Sequence, residues 1–302
     1  MKSEKSVRSR PMTETATTDG GAFGSPRAKF ERWRDGAYPD LPLQSEIVRT
    51  LCDLYEAKGL LPDGKDLPLQ HVCPCREQCW GGREHAHPNH PDRAGISVPW
   101  VGAHYFDRRI CVVGTNASDW GGIDSNWRIC PSHKDALLAG RRGKDGSPFA
   151  EGAMRYAHAV ERSLGGATDP DTRAASRPQL AETWESCAYL QAVKCSPSTP
   201  RSEPFPEMFR NCPSLLLKDE LEILRPDAVI VLGRTHLRDW VRPMLQVTWG
   251  EHPGHLERDS FELGGSRVEL FSCNHPSSAH GVGDCLSQLV SSLREKPVPV
   301  AA

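Results

Sequence analysis

The stretch Glu222-Ile-Leu-Arg-Pro-Asp-Ala-Val-Ile-Val-Leu-Gly233 decides the fold. Its first part closes an amphipathic helix read over Pro213 to Leu224, which stops at Arg225-Pro226 because the residue before a proline is pushed out of helical geometry. Five apolar residues, Ala228 to Leu232, then run without polar alternation. Such a run, short and rich in branched side chains, reads as a strand buried on both faces. Gly233 ends it. Helix, tight turn, buried strand and glycine exit make one half of a unit that builds parallel sheets.

Working outward, the same unit recurs. Arg109-Ile-Cys-Val-Val113 is a short apolar run that exits at Gly114. Trp184 to Val193 contains a second strand, and Val268-Glu-Leu-Phe-Ser272 a fourth. Helices are expected at Ala28–Trp33, Leu43–Lys58, Ala150–Leu164, His236–Leu245 (broken near Pro243) and Asp284–Glu295. Residues 165–180 read as a polar linker, and 115–148 as a long loop with little periodicity. The pattern predicts an α/β domain, a three-layer sandwich whose central sheet has four parallel strands with helices on both faces. Functional loops then belong beyond the carboxyl ends of the strands. Residues 1–26, rich in Ser, Thr, Gly and Arg, read as a disordered tail. Residues 27–302 read as a single domain with an insertion near 119–145.

Composition excludes some classes. The 302 residues are 38% hydrophobic, and no stretch of 18 apolar residues offers a transmembrane helix. The charged N-terminus lacks the apolar segment of a secretory signal. A soluble, cytoplasmic monomer is expected, with no membrane partner. The net charge of −2 means that binding to nucleic acid requires a local basic patch. In a reducing compartment the 11 cysteines call for burial or metal ligation, not disulfides. Cys52, Cys111, Cys187 and Cys285 read as buried thiols.

Four segments at strand exits or helix entries carry the chemistry: Val113-Gly-Thr-Asn-Ala-Ser118, Gly146-Ser-Pro-Phe-Ala-Glu-Gly152, Gln191-Ala-Val-Lys-Cys195 followed by Cys212, and Asn274-His-Pro-Ser-Ser278. In this order they resemble the uracil-DNA glycosylase superfamily. The resemblance covers about residues 70–295. It is strongest to the iron–sulfur branches, of the family 4 kind, combined with the Gly-x-Asn water motif of the mismatch-specific branches. It implies an enzyme that flips a base out of DNA and hydrolyses its N-glycosidic bond.

The resemblance also implies roles. Asn116 would position the attacking water. Phe149 would stack on the extruded base, and Gln191, with Gly114 and Thr115, would read its edge. His275 would hydrogen-bond the leaving base, where one fixed donor in a water-excluded site is worth about 2.7–4 kcal/mol. Ser277 and Ser278 would hold phosphates, and Arg141 and Arg142 of the insertion would contact DNA. The insertion adds Trp120, Trp127, His133 and Lys144 near the site. Plainer readings stay open: Asn116 as a turn residue, Phe149 as core packing, Gln191 as a strand end, His275 as part of a buried network.

Cys195 and Cys212 match two ligands of the [4Fe–4S] cluster carried by those branches. Cys75 and Cys79 are the expected other pair, with Cys73 as an alternative, since the gaps here differ from the family's. Zinc is the rival metal, with His85, His87 and His90 nearby. Uracil or another modified pyrimidine is the expected base. Three departures, Gln191 for the usual Asn, Ala117-Ser118 for Pro-Gly and the insertion of residues 119–145, also suit a bulky modified base of viral DNA and a role in phage defence. A non-catalytic, metal-stabilised DNA-binding module and a hydrolase acting on RNA or nucleotides are the other possibilities.

Overall fold

A computed structural model describes residues 42–60, 73–81, 96–115, 125–139, 148–195, 204–247, 254–277 and 282–295. The tail 1–26, the helix expected at Ala28–Trp33, and Asn116, Trp120, Arg141, Arg142, Lys144, Ser278 and His85, His87 and His90 lie outside them.

Among the described residues the sheet has six strands, not the four expected. They are β1 (Trp100–Val101), β2 (Ile110–Gly114), β3 (Cys187–Gln191), β4 (Ala228–Leu232), β5 (Leu256–Leu263) and β6 (Ser266–Cys273), in the order β1-β3-β2-β4-β6-β5. The pairings β3–β2, β2–β4 and β4–β6 are parallel. The edge pairings β1–β3 and β5–β6 are antiparallel, so the sheet is mixed. The two strands absent from the sequence reading are edges. β1 is two residues long, and β5 (Leu-Glu-Arg-Asp-Ser-Phe-Glu-Leu) carries four charges among its eight residues. Neither has the apolar run that marks β2, β3 and β4, each buried at every position.

The helices are α1 (Pro42–Ala57), α2 (Arg76–Trp80), α3 (Tyr105–Arg108), α4 (Ser125–Leu138), α5 (Pro148–Leu164), α6 (Arg177–Glu185), α7 (Pro206–Cys212), α8 (Lys218–Leu224), α9 (Arg234–Leu245) and α10 (Val282–Glu295). A wide π turn, Pro213–Leu217, joins α7 to α8. Pro213 follows Cys212 inside this run. It donates no backbone hydrogen bond, and a widened turn accommodates its ring.

Strand alternation sorts the core into two layers. Cys111, Val113, Ala188, Leu190, Val229, Val231 and Leu270 face α1, α8 and α9. Ile110, Val112, Cys187, Tyr189, Ile230, Phe271 and Cys273 face α4, α5, α6 and α10. Helices therefore cover both faces of the sheet. Cys52, Cys111, Cys187 and Cys285 are buried thiols in these layers, as expected.

Three local expectations need correction. The segment read as a loop over 115–148 contains the 14-residue helix α4, hidden by Pro131 in its interior. The linker over 165–180 ends inside α6. Ser176 caps that helix, and Gln179 returns the contact to the Ser176 backbone in a capping box. Pro243 lies within α9 without breaking it.

Candidate active site

The carboxyl ends of β2 and β3 stay paired beyond the strands. Gly114 lies opposite Gln191. Ala192 N–H then donates to Gly114 O and Val193 N–H to Thr115 O, both at 2.8 Å. Tyr189 and Gln191 share one sheet face, and the Tyr189 hydroxyl hydrogen-bonds Gln191. Burial pushes the Tyr189 phenol up. A Cβ at position 114 would sit 2.6 Å from the Tyr189 hydroxyl and 2.8 Å from Gln191 Oε1. The Tyr189–Gln191 pair therefore requires glycine at the β2 exit.

Phe149, in the first turn of α5, projects over this exit and is half-buried. Its ring centroid lies 5.2 Å from that of His275 at an interplanar angle of 36°. Tyr189 meets it edge-on at 6.4 Å, and His133 of α4 lies 6.0 Å away. Phe149 is thus a hub for three rings that arrive from three elements. The α5 helix reaches the loop after β6 because residue 152 is glycine: an added Cβ would lie 2.6 Å from Val282 and 2.9 Å from Pro276.

His275 is held in one tautomer. The Ser277 backbone N–H donates to its Nδ1 at 3.2 Å. A backbone N–H only donates, so Nδ1 carries the lone pair and the neutral ring keeps its proton on Nε2. The preceding residue anchors the loop. Asn274 N–H donates to Cys285 Sγ at 3.4 Å, and its side-chain amide meets His255 Nδ1 at 2.8 Å. Ser277 is exposed beside this ring.

His133, Tyr189 and Trp184 complete an aromatic wall. His133 lies 5.8 Å from Trp184, and Trp184 lies 5.7 Å from Tyr189. Burial pushes the His133 imidazole down to about 4, so it is neutral at pH 7. Among the described residues its buried Nδ1 has no hydrogen-bond partner. The α4 helix is pinned to α6 by Lys134 Nζ, 2.5 Å from Glu185 Oε1, and by buried Cys130.

Of the nominated residues, the base-site candidates Gly114, Thr115, Gln191, Phe149 and His275 and the phosphate candidate Ser277 gather at this one end of the sheet. Asn116, one residue beyond Thr115, lies outside the described residues. Tyr189 and Trp184 are additional wall residues. Tyr189 was legible in principle, because two positions before Gln191 on a strand means the same face. Trp184 was not, since a helix carries it. Cys273, just before this loop, is fully buried in the core beside Cys285.

A second gathering starts four residues after Gln191. Cys79, Cys195 and Cys212 share a buried cluster with Trp80, Val193 and Met208, and Cys75 packs against it. Cys73 is close enough to interact electrostatically with Cys75, Cys79 and Cys212. Cys195 and Cys212 hydrogen-bond each other, which lowers the Cys212 thiol and raises that of Cys195. Burial pushes Cys73 up to about 12 and Cys79 up to about 11. Asn211 Nδ2 donates to Cys79 Sγ at 3.3 Å. Among the described residues, no three His, Cys, Asp or Glu side chains form a closed shell for a metal ion.

Behind the thiols lies a buried ion pair. Lys194 Nζ is 2.6 Å from Glu220 Oε2, with side chains 2% and 0% exposed. Tyr55 donates to the other Glu220 oxygen at 2.5 Å, which ties α1 and α8 to the β3 exit. The segment before β1 joins the same point, with Ser97 N–H donating to Lys194 O at 2.9 Å.

No protein-family model matches the chain, and comparison with curated protein sequences returns no significant match.

Proposed function

We propose that the chain is a DNA glycosylase of the uracil-DNA glycosylase kind, acting on uracil or another modified pyrimidine and leaving an abasic site. The observation that carries this reading is the convergence of Gly114, Gln191, Phe149 and His275 at the carboxyl end of the sheet. They come from four segments spread over more than 160 residues, in the order that the resemblance requires. The three inner parallel pairings with helices on both faces suit the three-layer sandwich of that superfamily.

The residues suit the reaction. Cleavage of an N-glycosidic bond builds positive charge on the sugar and negative charge on the departing base, as in the oxocarbenium-like states of glycoside hydrolysis. A neutral His275 with its proton on Nε2 is a donor toward that base, and the Ser277 backbone fixes this tautomer before substrate arrives. Such preorganisation avoids reorientation during the reaction. Phe149 offers a ring face for stacking, and the Gln191 amide offers both a donor and an acceptor to a base edge. Asn116 would hold the water by its amide, a positioning role because amides are poor bases. Ser277 is exposed beside this loop, where a phosphate would approach.

The thiol gathering suits a metal. Cys75, Cys79, Cys195 and Cys212 share one wall, with Cys73 in electrostatic reach, and Asn211 supplies an N–H to one sulfur. Cys195 and Cys212, with two of Cys73, Cys75 and Cys79, would hold a [4Fe–4S] cluster or, as the alternative, zinc. Bound there, the metal would supply structure, clamping α2 to the exit of β3.

The decisive experiment treats oligonucleotides carrying single modified bases with purified protein and then with alkali. A strand break at the modified base, lost in His275→Ala and Asn116→Ala, is the expected result. Binding without a break on any substrate would replace the enzyme with a DNA-binding module.

A further inference from the structure

The turn that carries His275 is braced by a residue that the reaction described above does not use. Leu256 pairs with Cys273 in the antiparallel β5–β6 ladder, so His255 and Asn274 are the next facing positions beyond its end. There the Asn274 Nδ2 lies 2.8 Å from His255 Nδ1. An amide NH2 only donates, so His255 Nδ1 accepts and the ring proton sits on Nε2. That nitrogen lies 4.0 Å from Asp284 Oδ2, in the first turn of α10.

The backbone of His255 is fixed separately. Gln288 Oε1, on α10, accepts from His255 N–H at 2.7 Å and from Leu256 N–H at 3.1 Å. Residue 254 is glycine where a Cβ would lie 2.8 Å from that oxygen. The ring is therefore carried on main chain that α10 holds. On the other side of the contact, Pro276 fixes its own φ and pushes His275 toward extended backbone. The freedom left in the turn lies at Asn274, whose backbone N–H rests on a weak acceptor, Cys285 Sγ, at 3.4 Å. The Asn274 side chain is thus the handle by which the turn is set. The turn so set is the one in which Ser277 N–H reaches His275 Nδ1, 3.2 Å away.

We infer that His255 is a positioning residue of the candidate site: through the Asn274 amide it holds the His275 turn, and with it the tautomer that keeps a proton on His275 Nε2. Its bearing on excision rests on the glycosylase reading, whereas its hold on the turn does not.

The test is amide hydrogen exchange of the full chain, read residue by residue by NMR. The Ser277 amide reports the bond to His275 directly, and Leu256 with the amides of α10 reports the surrounding structure. In His255→Leu, which keeps the bulk and removes the acceptor, Ser277 should exchange about tenfold faster than in wild type, as the loss of one hydrogen bond allows. His255→Asn places an oxygen near the Nδ1 position and should bring the rate back to within about threefold of wild type. Leu256 and α10 should exchange alike in all three proteins, and circular-dichroism melts establish that each folds. A Ser277 rate unchanged in His255→Leu overturns the inference. So does a rise shared with Leu256 and α10, or one that His255→Asn does not reverse.

Single-turnover excision on the same proteins separates the two readings. His255→Leu should lower the excision rate about tenfold with oligonucleotide binding kept within about twofold, and His255→Asn should restore it. Excision by wild type with an unresponsive Ser277 amide would remove the inference and leave the glycosylase reading intact. The expected exchange pattern in a protein that cleaves nothing would keep His255 as the brace of His275 and remove the glycosylase.

Discussion

The two ends of the loop that leaves β3 are built differently. Gln191 belongs to a site that closes on itself: rings touch rings, glycines admit close approach, and a backbone N–H sets the His275 tautomer. Three residues later, Lys194 opens a region that is gathered but unclosed. Its thiols crowd one another, and most are held in the protonated form by burial. The first site owes its shape to hydrocarbon packing and main-chain geometry, which need no cofactor. The second is organised around the buried Lys194–Glu220 ion pair. Shape and chemistry are therefore separable in this molecule, and substitutions at one end should leave the other readable.

The largest expected effect comes from Lys194→Met, which strands Glu220 in the interior without its cation. A loss of about 3–5 kcal/mol of stability is expected, measured by urea titration. The double variant Lys194→Met/Glu220→Gln should recover part of it, because no charge is left buried. If both variants unfold like wild type, the cysteine end does not depend on this pair. Next, His275→Ala should lower excision by about 10²–10³-fold with little change in the urea midpoint, touching the base end alone. A matched fall in stability would show that the ring is structural.

Gly152→Ala tests the packing of α5 on the loop after β6. The added methyl must displace Pro276 and Val282, which costs about 1–3 kcal/mol. It should also separate Phe149 from His275 and slow excision. The smallest effect concerns pH. His133 stays neutral in the fold down to about 4, while an unfolded imidazole titrates near 6.5. Between these values the unfolded chain binds more protons. The stabilisation is complete above about pH 6.5 and is lost as pH falls toward 4, by on the order of 1–2 kcal/mol after allowing for the ring's partial exposure. His133→Phe should flatten that slope in melts recorded from pH 4 to 7.

Much of the fold was legible because central strands must be apolar on both faces. Ala228–Leu232 was read to the residue, and Ile110–Gly114 to within one. The edge strands β1 and β5 escaped because an edge faces water and has no continuous apolar run. The helix α4 escaped because Pro131 and a mixed surface mask its period. For the site, Gly114, Phe149, Gln191 and His275 were legible as residue types at strand exits and helix entries. His133 was visible only as a member of the insertion, and Trp184 had no distinguishing signal.

By itself, the sequence determined which segments alternate as strand and helix, and in what order their exits carry glycine, amide, aromatic and imidazole groups. These follow from side-chain periodicity and backbone preference, which act over a few residues. Only the tertiary structure decided that His133, Phe149, Tyr189 and His275 meet, that Lys194 pairs with Glu220, and that Cys75, Cys79, Cys195 and Cys212 share one wall. Such encounters depend on how helices pack across the sheet, between residues up to about 140 positions apart, and no local pattern encodes that distance.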